Sequence, residues 1–367
     1  MAEKIRVLMI CLTRRGGLLH FNDCLADGLS DLCDVGLITA QNAVHKMTNR
    51  DVTLYPVDTG SGAKGTIQKL ISPKTWIFIK NAAEEFKPDI VHITSAQEWN
   101  PFLGSFVKHQ LHKPLVYTIH DVIHHQGTPK YMRITENIFR RGVKYTVVLT
   151  EQGKKIIINQ GKKEENTLVV PHGIYDFFTK YADASIKEQN EILFFGRIEQ
   201  YKGLDVLLKS VPTVFRKCPD WYLHIAGGGD ITPYKEALNS PHIHVPNRFV
   251  TDEEVAKFMQ RCPIVALPYL SASQSGVIPT AFAFGKAVIA TNVGGIPDVI
   301  KDHETGLLIP PNDPAKLSAA LIELIENPAL RKKLGENGQA FANEYLGWNA
   351  IAKAHKAFYE KILAAER

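Results

Sequence analysis

Short apolar segments of strand length recur along this chain, and their alternation with helical segments constrains the fold more than any other feature. The first series is IRVLMIC (5–11), DVGLIT (34–39), DIVHIT (89–94), PLVYTIH (114–120) and YTVVLT (145–150). Amphipathic segments of helical length lie between several of them. Strands that alternate with helices predict right-handed βαβ units and a parallel sheet with helices on both faces.

The same pattern begins again in the second half of the chain. Its strands are predicted at EILFFG (191–196), WYLHIAG (221–227), HIHVP (242–246), PIVALP (263–268), AVIAT (287–291) and GLLIP (306–310). Helices are predicted at 203–218, 251–262 and 313–328, the last with Asp313 as N-cap and Pro314 in the first turn. A second series of this kind predicts a second sheet, and 367 residues are enough for two domains.

The junction between the two series lies near LVVPHGIYDFF (168–178), which contains Pro171 and Gly173. We therefore predict an N-terminal domain at 1–172, a C-terminal domain at 173–345 and a long amphipathic helix at 346–367. The predicted fold class is α/β, with two doubly wound, Rossmann-like parallel sheets facing a cleft. Ligands of such sheets bind beyond the carboxyl ends of the strands, so the cleft is the expected site.

Cysteine usage and the N-terminus bear on the compartment. The five cysteines are scattered and show no zinc-binding spacing, which is typical of a reducing cytoplasm. The N-terminal MAEKIRVLMICLTRRGG has too short an apolar run for a signal peptide. We expect a cytoplasmic protein, at most attached to the inner face of the membrane.

Charge is unevenly distributed along the chain. Residues 1–172 contain 22 Lys and Arg against 16 Asp and Glu, whereas the remainder contains 21 against 22. The basic half is either a solvated face or a surface for an anionic acceptor or membrane. The segment KLISPKTWIFIKNAAEEF (69–86) is correspondingly either a basic helix at a lipid interface or a helix that faces the core. No nucleic-acid-binding motif is present, and no nucleic acid is expected as a partner.

The stretch CPIVALPYLSASQSGVIPTAFAFG (262–285) contains no charged residue. Its three prolines and its polar centre exclude a membrane span. We interpret it as a strand at Ile264–Leu267, a loop at Pro268–Ser275 and a helix from Gly276, with Pro279 in the first turn. A helix start after a small-residue loop is either an anion site or an ordinary strand–turn–helix connection.

Three further loops follow predicted strands. In FFGRIEQYKG (194–203), Arg197 and Lys202 suit a diphosphate, although a charged surface loop has the same composition. The turns in HIAGGGD (224–230) and CLTRRGG (11–17) permit close backbone approach but lack the GxGxxG spacing, so neither a dinucleotide nor any other cofactor is predicted. The glycines concerned are Gly16, Gly17, Gly227 and Gly228.

The segment YTIHDVIHH (117–125) places His120 and Asp121 at the end of a strand, followed by His124 and His125. No HExxH or Cys/His pattern accompanies them, so no metal is predicted. His120 is either a structural histidine or a contact for substrate.

The ordered set of motifs resembles the GT-B glycosyltransferases, and most closely the retaining branch called family 4. The resemblance spans nearly the whole chain and includes the glycine turn after the first strand, TIHD (118–121), PHGI (171–174), GRIEQYKG (196–203), AGGG (226–229), FVTDEEV (249–255), LPY…SG (267–276), GKAVIATNVGGIPDVI (285–300) and the final helix with Trp348. Each motif is weak alone, and the order of the set is the specific signal.

The resemblance implies roles for these residues. Arg197 and Lys202 would hold the diphosphate of a nucleotide-sugar and stabilise the leaving group, and His120 would contact the donor sugar. The diphosphate would also meet backbone N–H groups of the uncharged stretch, and the base would meet backbone on the preceding loop. These further positions are Ser275, Gly276 and Val277 for the diphosphate, and Phe249 and Val250 for the base. The N-terminal domain would bind the acceptor, the C-terminal domain would bind the nucleotide-sugar, and the helix at 346–367 would pack back on the N-terminal domain.

The sequence departs from the family at two positions. The family usually carries two glutamates eight positions apart, and Ala272 and Thr280 stand there in this chain. Ser273 or Gln274 would then contact the sugar, and Thr280 would bond a ribose hydroxyl.

The function implied by the resemblance is retaining, metal-independent transfer of a hexose from a nucleoside-diphosphate sugar, expected to be a UDP-sugar. The acceptor would be a glycan or a lipid-linked glycan, as in bacterial surface polysaccharide synthesis. Because the two glutamates are missing, two alternatives stay open: a nucleotide-sugar epimerase of the same fold, and a non-catalytic nucleotide-sugar-binding relative.

Overall fold

The computed structural model describes residues 4–45, 47, 51–124 and 129–366. The chain divides into two compact units. The first comprises Met1–Gly173 together with Trp348–Arg367, and the second comprises Ile174–Gly347.

The first unit is built on a seven-stranded parallel sheet with the order β3-β2-β1-β4-β5-β6-β7. Its strands are β1 (Arg6–Cys11), β2 (Asp34–Ala40), β3 (Thr53–Val57), β4 (Ile90–Ile93), β5 (Leu115–Ile119), β6 (Tyr145–Val148) and β7 (Thr167–Val169). The chain order reverses between β1 and β4, which makes their carboxyl ends the switch point of this sheet.

The helices of this part of the chain connect successive strands, as parallel pairing requires. They are α1 (Gly17–Ser30), α2 (Gly62–Leu70), α3 (Pro73–Phe86), α4 (Asn100–Phe106), α5 (Lys130–Gly142) and α6 (Glu151–Asn159). Helix α4 continues into a π-helical turn at Val107–Leu111, and a short 3₁₀ turn at Glu164–Asn166 precedes β7.

The second unit is built on a six-stranded parallel sheet with the order β10-β9-β8-β11-β12-β13. Its strands are β8 (Glu191–Phe195), β9 (Tyr222–Ala226), β10 (Ile243–His244), β11 (Ile264–Leu267), β12 (Ala287–Thr291) and β13 (Leu307–Ile309). Here the chain order reverses between β8 and β11.

The helices of the second unit are α7 (Leu204–Lys217), α8 (Lys235–Leu238), α9 (Asp252–Arg261), α10 (Val277–Ala283), α11 (Ile296–Val299), α12 (Pro314–Glu326) and α13 (Pro328–Tyr345). Short 3₁₀ turns lie at Asp176–Tyr181, Gln200–Lys202 and Thr232–Tyr234. The predicted N-cap Asp313 accepts a hydrogen bond from the Lys316 N–H, and Thr251 and Glu254 form a capping box at the start of α9.

The last helix, α14 (Trp348–Ala365), belongs to the first unit and packs on α1. Its Tyr359 hydroxyl lies 2.7 Å from Nδ1 of His92 on β4. Its first residue, Trp348, lies directly over Gly173, where a side chain would not fit. The C-terminal residues therefore complete the core of the N-terminal sheet.

Each sheet is buried on both faces. In the first unit, one core lies under α1 and α14, and a second lies on the opposite face under α3, α4 and α5. In the second unit, a core of aliphatic side chains lies between the sheet and α7 and α12. Burial on both faces explains why the strands have continuous apolar sequences.

The prediction of two α/β domains with parallel sheets is confirmed. The sequence analysis missed β3 and β7, which are the two edge strands of the first sheet. β3 is exposed at alternate positions and contains Pro56, and β7 is three residues long. Edge strands are shorter and less apolar than central strands, so they lack the signal that the other strands carry.

The segment 69–86 does pack on the core. Helix α3 buries Ile79, Ala82, Ala83 and Phe86 against the sheet, as the core-facing interpretation predicts. Its opposite face leaves Ile77 and Phe78 exposed. No helix among the described residues is both long enough and apolar enough to cross a bilayer.

Candidate active site

In the second unit, two of the predicted loops follow neighbouring strands at the switch point. The loop with Arg197 and Lys202 follows β8, and the uncharged loop 268–276 follows β11, which pairs directly with β8. Ligands of open α/β sheets bind at the carboxyl ends of strands where the strand order reverses. The two loops therefore occupy the position in this sheet where a ligand is expected.

The side chain of Lys202 is turned into the protein. It lies in the 3₁₀ turn Gln200–Lys202, and only 9% of the residue is exposed. Its ammonium lies 5.3 Å from the ring centre of Tyr269 and directly against Gly196. Among the described residues, no carboxylate pairs with this ammonium. A cation held against an aromatic ring without a carboxylate partner is ready to bind an anion.

Arg197 behaves differently from Lys202. Its side chain is 76% exposed and its Nη1 lies 2.8 Å from Oε1 of Glu199. The structure therefore does not bring the two predicted cations together in one buried site. It puts one cation at the switch point and the other at the surface, where a carboxylate two residues away neutralises it.

Glycines let the loops approach each other closely. Gly203 has φ +68°, and a Cβ there would fall within 3.0 Å of the Pro268 carbonyl oxygen on the other loop. The Leu270 N–H also donates to the Tyr201 carbonyl at 2.7 Å. Gly227 has φ +154° and packs on the Gly196 carbonyl. These contacts fix the backbone around Lys202.

The uncharged loop is held by its own hydroxyl groups. The Tyr269 hydroxyl lies 3.2 Å from Ser275 Oγ, and Ser275 Oγ accepts from the Val277 N–H at 3.2 Å. Tyr269 thus joins Lys202 to the predicted start of helix α10. That helix has only seven residues, and the Val277 N–H already has a partner. Its dipole is therefore weaker than the sequence analysis assumed, and Lys202 is the stronger anion-binding feature.

The residues that replace the family's glutamates have partly defined environments. Ala272 is buried, and its carbonyl lies against Gly294. Thr280 is buried and its hydroxyl donates to the Gly276 carbonyl at 2.8 Å, so only its acceptor lone pairs remain for a ligand. The Ser273 carbonyl accepts from the Gly295 N–H at 3.2 Å.

Gln274 stands out among the predicted sugar contacts. Its Oε1 atom is buried and has no hydrogen-bond partner within the described part of the chain. A buried acceptor without a donor is costly and uncommon in a native protein. A ligand hydroxyl at this point would satisfy it.

The predicted base-binding residues precede α9. Phe249 has an exposed side chain, and its carbonyl accepts from Arg248 Nη1 at 3.1 Å, whereas Val250 is buried. Arg248 also pairs with Glu254, which closes the turn into α9. Gly228 lies against the backbone of Arg248, so the glycine loop after β9 supports this segment.

In the first unit, Gly16 and Gly17 form the start of α1, with Gly16 at φ +86°. His120 follows β5 and is almost completely buried; its Nε2 donates to the Thr94 carbonyl at 2.8 Å. Burial lowers the pKa of His120, so the ring is neutral near pH 7. With Nε2 as the donor, Nδ1 is the nitrogen that retains an acceptor lone pair.

The residues after His120 do not assemble a metal site in the described part of the chain. His124 lies 3.2 Å from the Asn137 side chain, and His125 lies outside the described residues. No three His, Cys, Asp or Glu side chains that the structure describes are grouped in a way that would hold a metal ion.

Two residues beside Lys202 were not predicted from the sequence. The Tyr269 ring makes a cation–π contact with the Lys202 ammonium, and Glu199 forms an ion pair with Arg197. The signal for Tyr269 was its position two residues after a buried strand, and the signal for Glu199 was its position two residues after the arginine.

Comparison with known protein families divides the chain near the junction of the two units. Residues 16–176 match the family described as Glycosyltransferase Family 4, and residues 178–341 match the family described as Glycosyl transferases group 1.

Similar curated proteins are glycosyltransferases. An uncharacterized glycosyltransferase of Methanocaldococcus jannaschii is 28% identical over 290 residues, which is 77% of this chain and 78% of that protein. The phosphatidyl-myo-inositol mannosyltransferase of Mycobacterium tuberculosis (strain H37Rv) is 30% identical over 205 residues, 53% of each chain. The match to the mannosyltransferase thus spans about half of its length.

Solved structures share the fold at low identity. The sucrose-phosphate synthase of Thermosynechococcus elongatus has a TM-score of 0.78 at 18% identity, over 99% of this chain and 100% of that one. Anabaena HepE in complex with UDP and glucose has a TM-score of 0.74 at 16% identity, over 96% and 98% of the two chains. The two parallel-sheet units, the loops that meet at the switch point between β8 and β11, and the two family matches together show that this chain is a glycosyltransferase of the group 1 family with the GT-B fold.

Proposed function

We propose that the protein transfers a hexose from UDP-sugar to a glycan or lipid-linked acceptor, with retention of the anomeric configuration and without a metal ion. The observation that carries this proposal is the ammonium of Lys202, which belongs to a largely buried residue and has no carboxylate partner among the described residues. A nucleotide diphosphate supplies the missing negative charge. Structures of Anabaena HepE with UDP and with UDP-glucose support this choice of donor.

Lys202 and Arg197 have complementary parts in this proposal. Lys202 is preorganised and binds the diphosphate without rearrangement, whereas Arg197 exchanges Glu199 for a phosphate oxygen when donor arrives. Two cations offset the charge that develops on the leaving diphosphate. Removing one such contact costs on the order of 10²–10³ in turnover.

The reaction balances without a protein nucleophile. The bond between the anomeric carbon and the diphosphate oxygen breaks, and the acceptor oxygen bonds to the same carbon on the same face. The hydroxyl proton of the acceptor passes to the departing diphosphate. Lys202 stabilises the anion before and after that proton transfer.

The remaining predicted contacts bind the rest of the donor. Gln274 Oε1 accepts from a sugar hydroxyl, and Ser273 lies next to it in the chain. The segment Phe249–Val250 contacts the base, and Thr280 offers acceptor lone pairs to the ribose. His120 hydrogen-bonds the transferred sugar through Nδ1, the nitrogen that Thr94 leaves available.

The experiment is a pair of measurements on Lys202→Met: thermal stabilisation by UDP, and transfer or slow hydrolysis of UDP-sugars in the presence of EDTA. Methionine fills a similar volume without charge, so the free variant should melt at the same temperature as the native protein or higher. UDP should no longer raise its melting temperature. Turnover should fall on the order of 10²-fold or more.

Lys209→Met is the matched control, because Lys209 is an exposed lysine on the following helix. It removes the same charge from the same unit and should leave UDP binding and turnover unchanged. Native UDP binding by Lys202→Met would overturn the proposal. Conversion of UDP-sugar into an epimer without acceptor would indicate the epimerase instead.

A lipid-linked acceptor implies contact with an anionic membrane, and helices α2 and α3 are the proposed surface. Ile67, Ile71 and Ile77 are exposed there beside Lys64 and Lys74. The double variant Ile71→Ser/Ile77→Ser should lose binding to phosphatidylglycerol vesicles at low salt. The absence of vesicle binding by the native protein would exclude this surface and leave a soluble glycan as the acceptor.

A further inference from the structure

A large groove lies in the first unit, along the amino ends of its strands. It has a volume of about 1000 Å³. Its floor includes Arg6 at the start of β1, Leu115 at the start of β5 and Tyr145 at the start of β6. One wall is formed by α4 with the π-helical turn that follows it, and another is formed by α5.

The lining of this groove is strongly basic. Five lysine and arginine side chains line it against two carboxylates, Asp89 and Glu366, which gives a charge of +3 where the whole chain has +5. The five cations are Lys4, Arg6, Lys108, Lys113 and Lys144. The neighbouring His109 and His112 add nitrogen donors. Such a concentration of like charge on a concave surface destabilises the empty protein and attracts an anion.

The cations differ in whether the protein already uses them. Arg6 donates to the Phe86 carbonyl, and Lys144 pairs with Glu366 at 2.7 Å. Lys108 and Lys113 have no ion pair or hydrogen bond within the part of the chain that the structure describes. They are exposed and project from the same short segment. One wall of the groove therefore presents two ammonium groups that have no carboxylate partner among the described residues.

That segment also has an unusual backbone. Residues Val107–Leu111 form a π-helical turn, and His112 adopts the left-handed conformation with φ 50° and ψ 43°. A left-handed residue is a common helix ending, and Lys87 ends α3 in the same way, whereas π-helical turns are rare and occur frequently at functional sites. The π-helical turn is therefore the unusual feature of this connection.

We propose that this groove is a second binding site, specific for an oligoanion that carries several phosphate groups. Its volume is at the upper end for small-molecule sites, so a single phosphate ion would leave most of it empty. Apolar side chains such as Ile138 and Val143 also line the groove and would contact a carbon-containing linker. A bilayer surface cannot enter a concave groove, which favours a soluble ligand.

The ligand of this groove is not a reactant of glycosyl transfer. In a parallel sheet, ligands bind beyond the carboxyl ends of the strands. His120 lies at the carboxyl end of β5. The groove lies at the amino end of β5, where Pro114 and Leu115 line it. An oligoanion bound there would act as an effector or would tether an anionic polymer.

The experiment is calorimetric titration of the full chain with inorganic tripolyphosphate at low salt, in the presence of excess UDP. UDP occupies the donor site, so the remaining heat reports a second site. The double variant Lys108→Gln/Lys113→Gln should bind tripolyphosphate about tenfold more weakly, because it loses two charge-assisted contacts. Glu366→Gln should bind it more tightly, because it frees Lys144 and removes a repelling charge.

The matched control is Lys155→Gln/Lys353→Gln, which removes two exposed lysines of the same unit outside the groove. It should leave the affinity unchanged. An equal loss of tripolyphosphate affinity in both double variants would overturn the proposal, since binding would then reflect net charge alone.

If UDP does not bind, the donor proposal fails, but the comparison between the two lysine pairs still tests the groove. Loss of anionic-vesicle binding without loss of tripolyphosphate binding in Lys108→Gln/Lys113→Gln would overturn the assignment to a soluble ligand.

Discussion

The ammonium of Lys202 lies 5.3 Å from the centre of the Tyr269 ring, and this ring comes from the loop after the neighbouring strand. The arrangement ties the position of this cation to the loop that also carries Ser275 and Gln274. Any change in the ring therefore acts on the anion site through Lys202, while the tyrosine hydroxyl acts through Ser275.

Two substitutions of Tyr269 should separate these contributions. Tyr269→Phe keeps the ring and should lower kcat/KM for the donor only severalfold. Tyr269→Leu removes the cation–π contact, which is worth about 1–2 kcal/mol in a partly buried site, and should weaken UDP binding up to about tenfold. Steady-state kinetics measures kcat/KM, calorimetry compares the UDP affinities of the two variants, and denaturation by urea corrects for lost core packing. Equal UDP affinities for the two variants would show that the ring does not position Lys202.

The close approach of the two loops at Gly203 predicts a specific sensitivity. Gly203→Ala places a Cβ against the Pro268 carbonyl in addition to the cost of positive φ. Gly285→Ala is the matched control, since it has φ +63° against +68° and its nearest neighbouring atom would be 3.7 Å away.

Both variants should lose roughly 1 kcal/mol from the positive φ alone. Gly203→Ala should lose a further 1–3 kcal/mol or so from overpacking and should bind UDP more weakly, because the backbone directly after Lys202 must shift. Chemical denaturation and UDP calorimetry measure the two effects. Identical losses in stability would mean that the loop yields without strain.

The sequence predicted the two sheets because their central strands are buried on both faces and have continuous apolar sequences. It missed β3 and β7 because an edge strand such as Thr53–Val57, with Pro56 and alternating exposure, has no such run. The sequence also assigned Trp348 to the final helix, but it did not predict the contact between Trp348 and Gly173, because these residues are far apart in the chain.

The sequence predicted which loops form the site, but it did not predict how their side chains are arranged. Strand ends and glycines identified the loop of Lys202 and the loop of Ser275, since both follow strands of the sheet. Local sequence does not determine which of two nearby cations turns inward, because that depends on partners in other segments. Lys202 meets Tyr269 from the loop after β11, whereas Arg197 meets Glu199 at the surface.

Buried histidines in the first unit predict a loss of stability in mild acid. Burial lowers the pKa of His355 on α14 to about 4, whereas the unfolded chain has the usual value near 6.5. Below pH 6.5 the unfolded state therefore binds more protons than the folded state, so the stabilisation is complete above that pH and is lost as the pH falls toward 4. Between pH 7.5 and pH 5 this residue should account for roughly 2 kcal/mol.

Urea denaturation at a series of pH values measures that slope. His355→Phe should reduce it without abolishing it, because the pKa of His172 is also lowered to about 4 and that of His92 is lowered by burial. His109→Gln removes an exposed histidine of the same unit and should leave the slope unchanged. A slope that does not change in His355→Phe would mean that the ring is hydrated in the folded state.

The unpaired Oε1 of Gln274 leads to opposite effects on stability and on donor use. Gln274→Met keeps the length of the side chain and removes a buried acceptor that has no donor among the described residues. The free protein should therefore be as stable as the native protein or more so. The donor KM should rise about fivefold, because one hydrogen bond to a sugar hydroxyl is lost.

Gln339→Met is the matched control, since Gln339 Nε2 donates to the Ala283 carbonyl at 3.0 Å. This variant should lower stability and leave the donor KM unchanged. If Gln274→Met instead lost stability with an unchanged KM, Gln274 would be a structural residue and the sugar contact would have to come from Ser273 or from another residue of the loop.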